Sequence, residues 1–299
     1  MFWQCSEVFL KGYVTELELG AAWMREIPRI QPDMLWRSRT PWVWDRDDDD
    51  GLRSEWTMIL EAYTSAKLTN PHKDKLIAID GILSYLTAFR KTWYTCGMFW
   101  RDLPEALCWE QAEVAPSGRA PQYRAPSWSW ASVDGTIFMP FLRVSAGSLR
   151  LTCVLNTMTW TQDDIPKTAL LCVGRVLPLL PPHGDQVITN PKAYWIYFFY
   201  GQWVKVIFDD ETEELTSAHR TLYYFPIVSL EDSNYRFKSP DGFSRMQRRN
   251  HNALLLVKNS DGTFSRVAKT THDQNAVQCP LSPLLAAIQA QPAQLVILV

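Results

Sequence analysis

Tyr123-Arg124-Ala125-Pro126-Ser127-Trp128-Ser129-Trp130-Ala131-Ser132-Val133-Asp134-Gly135 is the stretch on which the reading of this chain turns. From Ser127 to Val133 it alternates with a period of two, then stops at an Asp134-Gly135 turn, which predicts a strand. Upstream of it the apolar residues recur at helical spacing. Downstream they run as strands. The stretch therefore joins a helical unit to a β unit, and the alternation puts Trp128 and Trp130 on one face. Large aromatics at such a seam bury roughly 150–250 Å² each, so the first reading of the pair is core. Two others stay open: a stacking platform for sugar rings or bases, and a nucleophilic Ser127 or Ser129. The last needs a base and an oxyanion hole. The chain has no G-x-S-x-G elbow and no histidine within forty residues of these serines.

Working upstream, residues 113–126 are rich in Pro, Gly and Ser and read as a linker. Residues 52–112 read as a small three-helix subdomain. Trp56, Ile59, Leu60 and Tyr63 share one helical face. Asn70-Pro71 breaks the chain, and Leu76, Ile79, Leu83 and Leu86 resume the period. A third helix is expected from Asp102, with Asp102 as its cap, Glu105 reaching back to the cap amide and Pro104 tolerated in the first turn. Residues 21–51 are irregular and end in the acidic run Asp45–Gly51, a solvated linker by its spacing and not a calcium loop. Trp36, Trp42 and Trp44 beside it are candidates to anchor that linker. Residues 1–20 read as a strand with a short connection.

Working downstream, residues 127–270 read as β. Strands are predicted over 148–155, 169–176, 193–200, 203–208, 221–230, 253–257 and 264–268, with a hairpin loop at Asn259-Ser260-Asp261-Gly262. The run from Ala193 to Tyr200 reads as a strand buried on both faces. Arg245, Arg248, Arg249 and His251 form the one local basic cluster and read as a solvated loop. No element is specified over 271–299. The fold class expected is α+β: a small three-helix subdomain packed on a mostly antiparallel β-sandwich or open barrel.

Composition narrows the function classes. The chain has 299 residues, about twice the ~150-residue prior for one domain. It is 46% hydrophobic and 21% charged, which excludes a disordered, collagen-like or coiled-coil chain. Its net charge of −2 supplies no global basic field for nucleic acid. Fourteen tryptophans are several times the ordinary share. Cys5, Cys96, Cys108, Cys153, Cys172 and Cys279 form no C-x-x-C pair, and the five histidines are scattered. Reduced thiols are expected, and no metal site. Neither a signal peptide nor a spanning helix is read, so a cytoplasmic protein without a membrane span is expected. Gly-rich phosphate loops are absent, and no catalytic residue and no cofactor is assigned.

Several segments together resemble the fungal heterokaryon-incompatibility (HET) domain family. Phe2-Trp3-Gln4-Cys5 resembles the strand that closes the HET core. Trp56 through Thr69, Asp74 through Ile82, and Trp100 through Trp109 resemble the segments that follow it. The 123–135 stretch is the most specific match, nearly verbatim to the family signature. Ala169–Pro178 and Leu254–Val257 are weaker matches. The signature residues Tyr123, Arg124, Pro126, Ser127, Trp128, Ser129, Trp130, Asp134 and Gly135 are expected to be structural. The family's α/β core lies upstream of the closing strand, so the resemblance implies that this chain is the region downstream, with the core largely missing. It further implies a non-enzymatic regulatory or recognition role in self/non-self recognition and programmed cell death, with protein partners and no nucleic acid. The alternatives from the residues are a Trp-rich carbohydrate-binding module and a Ser/Cys hydrolase.

Overall fold

The structure is a computed structural model that describes residues 49–66, 68–90, 92–103, 105–112, 118–140, 149–151, 154–162, 165–179, 187–190, 194–200, 202–210, 221–239, 242–275 and 283–299. The expected first strand, the acidic residues 45–48, Trp36, Trp42, Trp44, Cys5, Cys153 and Cys279 lie outside these residues. It is an α+β chain with few helices and a mostly antiparallel sheet.

The helical layer begins with α1 (Asp49–Ser65), so the last two aspartates of the acidic run open a helix where a linker is expected. The face read from the sequence is the buried one: Trp56, Ile59, Leu60 and Tyr63 are all under a tenth exposed. A four-residue helix α2 (Pro71–Asp74) follows the Asn70-Pro71 break, with Pro71 in its first turn, where no N–H is needed. In α3 (Ile77–Arg90), Ile79, Leu83 and Leu86 are buried.

The third helix does not form. The chain makes a tight hairpin of β1 (Tyr94–Thr95) and β2 (Met98–Phe99), turning through Cys96 and Gly97 at positive φ. Two 3-10 turns follow, Trp100–Asp102 and Glu105–Cys108. Asp102 is not a cap, because its carboxylate is held by other groups. Arg90 Nη1 and Nη2 each donate to it at 2.6 Å, and Arg53 Nε lies 3.4 Å away. A buried carboxylate taken by a two-pronged guanidinium is not available to a helix amide.

The second small sheet pairs β3 (Glu110–Gln111) with β4 (Ile137–Phe138). Everything else joins one sheet of eleven strands among the described residues. Its order is β5 (Leu149–Leu151), β12 (Leu222–Ser239), β13 (Gly242–Lys258), β14 (Phe264–Asn275), β11 (Gln202–Phe208), β10 (Tyr194–Phe199) and β9 (Val187–Asn190). Branching from it are β6 (Val154–Gln162), β7 (Ile165–Arg175), β8 (Leu177–Leu179) and β15 (Ala293–Leu298). The pairings are antiparallel, except a single parallel one between β14 and β15 at Phe264 and Leu298. Only Val176 separates β7 from β8, yet β7 pairs with β15 and β8 with β12. Pro226 borders a register shift of β12, the kind of place in a sheet where proline is tolerated. The Asn259–Gly262 hairpin loop forms as read, with Gly262 at φ +85°. Arg245, Arg248, Arg249 and His251 lie on β13, paired to β12 and β14, and not in a loop. The side chains from Tyr194 to Phe199 are outside those described.

Alternation along β13 gives the sheet two cores. Leu254 and Leu256 face the helical layer, together with Phe225, Phe264 and the buried tryptophans. Ala253, Leu255 and Val257 face the other way, onto Val204, Val206, Tyr224 and Ala268. That second face is covered by α4 (Pro283–Gln289), whose Leu284 and Ile288 are buried there. Residues 271–299, in which no element is read from the sequence, thus supply the end of β14, a covering helix and a strand.

Candidate functional site

The 123–135 stretch sits where the helical layer meets the sheet, and it is not a strand. Ser129 turns it into a 3-10 turn over Trp130–Ser132, because its hydroxyl accepts from the amide of Ala131 at 3.0 Å. A serine that caps a turn offers the backbone an alternative to a ladder. The same hydroxyl donates to the carbonyl of Cys96 at 2.7 Å. Flanking residues anchor the segment: the amide of Asp134 donates to Gly118 and that of Ala120 to Ser132, and Arg119 bridges Val133.

Each signature residue except Tyr123 has an internal partner or place. Trp128 and Trp130 are fully buried in the core between helices and sheet, as the seam reading expects. Trp130 Nε1 donates to the carbonyl of Gly97 at 2.9 Å, and its ring meets Tyr63 of α1 edge-on. Gly97 has to be glycine on two counts: its φ is +78°, and a Cβ there would lie 2.7 Å from the Trp130 ring. The carbonyl of Trp128 accepts from Trp109 Nε1 at 2.9 Å. Ser127 donates through its hydroxyl to the carbonyl of Val299 and accepts from the amide of Arg266 at 2.9 Å. Pro126 is buried, and its carbonyl accepts from the amide of Ser129. Arg124 Nε donates to Ala131 O at 2.7 Å, and Nη2 to Val133 O at 3.0 Å and Asp134 Oδ1 at 2.8 Å. Gly135 takes the turn at φ +91°. Tyr123 alone remains exposed, with the Lys167 ammonium 5.1 Å from its ring centroid.

Two charged groups that the sequence reading did not single out complete the junction. Arg266 of β14 is wholly buried. Its Nε and Nη2 donate to the two oxygens of Asp209 at 2.9 Å, and Nη1 and Nη2 donate to Leu107 O at 2.6 Å and Trp109 O at 2.7 Å. Its guanidinium stacks 3.5 Å from the Trp109 ring centroid. One β14 residue thereby holds the Glu105–Cys108 turn of the helical layer to the sheet. A bulge places it: Leu255 pairs with Ala268 but Leu256 with Arg266, so Val267 is the extra residue and Arg266 turns to the helical face. Burial pushes the pKa of Arg266 down, opposed by the Asp209 charge. Arg119 Nη2 shares Asp209 at 3.2 Å, and Asp210 accepts from the Arg119 amide at 2.6 Å.

Lys75 is the other group. Its ammonium lies over Trp130, donates to Val133 O and sits 3.7 Å from Asp134. Burial, and then the neighbouring charge of Arg124, lower its pKa from 10.5 to about 8, against the pull of Asp134. Desolvation pushes Cys108 up to about 12, so this buried thiol is inert. Cys96, Cys108 and Cys172 form no disulfide with one another.

Chemically, this arrangement is a clamp. The partners found for the hydroxyls of Ser127 and Ser129 are backbone groups. The indoles of Trp128 and Trp130 present no face to a ligand. Among the described residues no three His, Cys, Asp or Glu side chains gather to hold a metal ion. No helix among them is long and apolar enough to cross a membrane. No protein-family model, no curated protein and no solved structure matches the chain.

Proposed function

We propose that this chain is a non-enzymatic recognition or regulatory region of a cytoplasmic protein, similar to the part of fungal HET proteins that follows their core, acting with protein partners in self/non-self recognition and programmed cell death. The observation that carries this reading is the internal use of the 123–135 signature. Its indoles, its hydroxyls and its arginine hold two layers of the fold together, which is what a scaffold presenting a surface requires. The pairing of β7 with β15 and of β8 with β12 supports the finer architecture of the same reading, a sheet that bends round as an open barrel beneath the helical layer.

Expression of this chain in a filamentous fungal host tests the role. Normal growth is expected from the chain alone, and growth arrest once a HET core is fused upstream. Arrest by the chain alone, abolished by one point substitution that leaves its stability unchanged, overturns the non-enzymatic reading.

A further inference from the structure

The basic residues Arg245, Arg248 and Arg249 lie in a part of β13 that differs from the rest of the sheet. The last rung between β13 and β14 is Arg248 with Asn275, and the last between β12 and β5 is Leu230 with Leu149. Beyond these rungs β12 and β13 pair only with each other among the described residues, from Tyr235 with Met246 to Ser239 with Gly242. The sheet thus runs out into a two-stranded ribbon. A bulge between Asp232 and Tyr235 stands at its root, a place where a strand bends.

Register decides which residues of the ribbon share a face. Opposite residues of an antiparallel pair stand on one side, and neighbours along a strand stand on opposite sides. Arg236 is opposite Arg245, and Lys238 is opposite Phe243, so that face holds three cations and one aromatic residue. Tyr235 is opposite Met246, and Phe237 is opposite Ser244, so the other face holds three large apolar residues and no charge. At the root, Glu231 opposite Arg249 and Asp232 opposite Arg248 are matched in sign. Arg236 and Arg245 are like charges directly opposite each other, which destabilises a strand pair. An anionic surface against them offsets that cost. Residues 235–249 carry five cations and one acid in a chain of net charge −2, so the attraction of such a surface is local and not global.

The segregation of the two kinds of residue selects the partner. Single-stranded nucleic acid is held by aromatic rings set among cations on one surface, where its bases stack. An acidic peptide would engage the cationic face and leave the apolar one unused. An element that lies in a membrane interface has an apolar face for the acyl boundary and a Lys/Arg face whose long side chains reach back to the headgroups. We infer that the ribbon, which brings Arg236, Lys238 and Arg245 to one face and Tyr235, Phe237 and Met246 to the other, docks the chain on an anionic lipid bilayer. The inference goes beyond the proposed role in recognition and does not depend on it.

Sedimentation of the full chain with vesicles of phosphatidylcholine and phosphatidylserine tests it, against vesicles of phosphatidylcholine alone. Binding to the anionic vesicles is expected, with loss as salt rises from about 0.1 to about 0.5 M. Each cation removed should weaken it about fivefold, so Arg236→Gln with Arg245→Gln should weaken it about 25-fold. Phe237→Ser should weaken it about tenfold. Lys73→Gln with Lys258→Gln removes the same charge from exposed positions, one in α2 and one about 44 Å along β13 from Arg245, and should leave binding within about twofold. Equal losses in the two double variants, or equal binding to the two kinds of vesicle, overturn the ribbon as a lipid site. Tighter binding of an oligothymidylate strand than of anionic vesicles, lost in the Arg236 and Arg245 double variant, assigns the ribbon to nucleic acid and also overturns the inference. Should the ribbon variants fail to fold, hydrogen exchange of the unmodified chain with and without anionic vesicles decides it. Slowed exchange within residues 233–249 is expected, and unchanged exchange there refutes the docking.

Discussion

The two faces of the large sheet are built by different means. The face toward the helices holds Trp56, Trp109, Trp128 and Trp130, and it is threaded by the Arg266–Asp209 pair and by Lys75. The opposite face is mostly aliphatic: Leu222, Leu255, Val204, Val206, Val267, Leu284 and Ile288, with Tyr224. An aliphatic core tolerates exchange of one methyl-bearing group for another of similar volume. A core that contains charges does not, because each buried ion depends on its partner. The helical face is thus the specific side of this molecule and the α4 face the adaptable one.

The largest expected effect follows from that difference. Asp209→Ala strands the buried Arg266 and should cost about 3–5 kcal/mol, read from urea unfolding. Replacing both partners by apolar groups, Asp209→Leu with Arg266→Met, should recover much of the loss. A double variant worse than the single one would remove the distinction between the faces. Trp130→Ala comes next, at about 3–5 kcal/mol with no charge left stranded. Leu284→Ala on the other face should cost about 2–4 kcal/mol, from the lower part of the range for buried leucines. Combined with Trp130→Ala it should be additive to within about 0.5 kcal/mol, since the two side chains lie in separate cores. A larger coupling would mean that the faces are one core.

The smallest effect is a pH dependence. The unfolded chain holds the Lys75 proton up to its ordinary 10.5, whereas the folded chain releases it near 8. The burial of Lys75 is therefore a full penalty below pH 8 that is relieved as pH rises toward 10.5. Stability should increase by on the order of 1 kcal/mol between pH 8 and 9, before the raised pKa of Cys108 opposes it above pH 9. Lys75→Met should flatten this segment of the profile, and an unchanged slope would mean that Lys75 does not titrate there.

The sequence made the repetitive parts of both faces legible. Trp56, Ile59, Leu60 and Tyr63 repeat at the helical period, and the run from Ala253 to Val257 is too apolar to have a wet face. Trp128 and Trp130 were legible as core but not as a turn. Alternation of serine and tryptophan satisfies the strand pattern, while the capping by the Ser129 hydroxyl is a three-dimensional choice. Asp102 was misread for a related reason: an aspartate three residues before a glutamate has the spacing of a cap, and nothing local shows Arg90 closing on it. Arg266 and Asp209, 57 residues apart, carry no mutual signal in sequence. A bulge at Val267 is what brings them together. The covering helix α4 spans seven residues, too short for its two buried positions to stand out.

Native-state hydrogen exchange of the unmodified chain across a urea series reads most directly whether the 123–135 segment joins the two layers. Amides of α1, α3, β13 and β14 should merge into one opening of common free energy and common urea dependence. Helical amides that exchange through a separate, lower-energy opening while β14 stays protected would contradict the clamp.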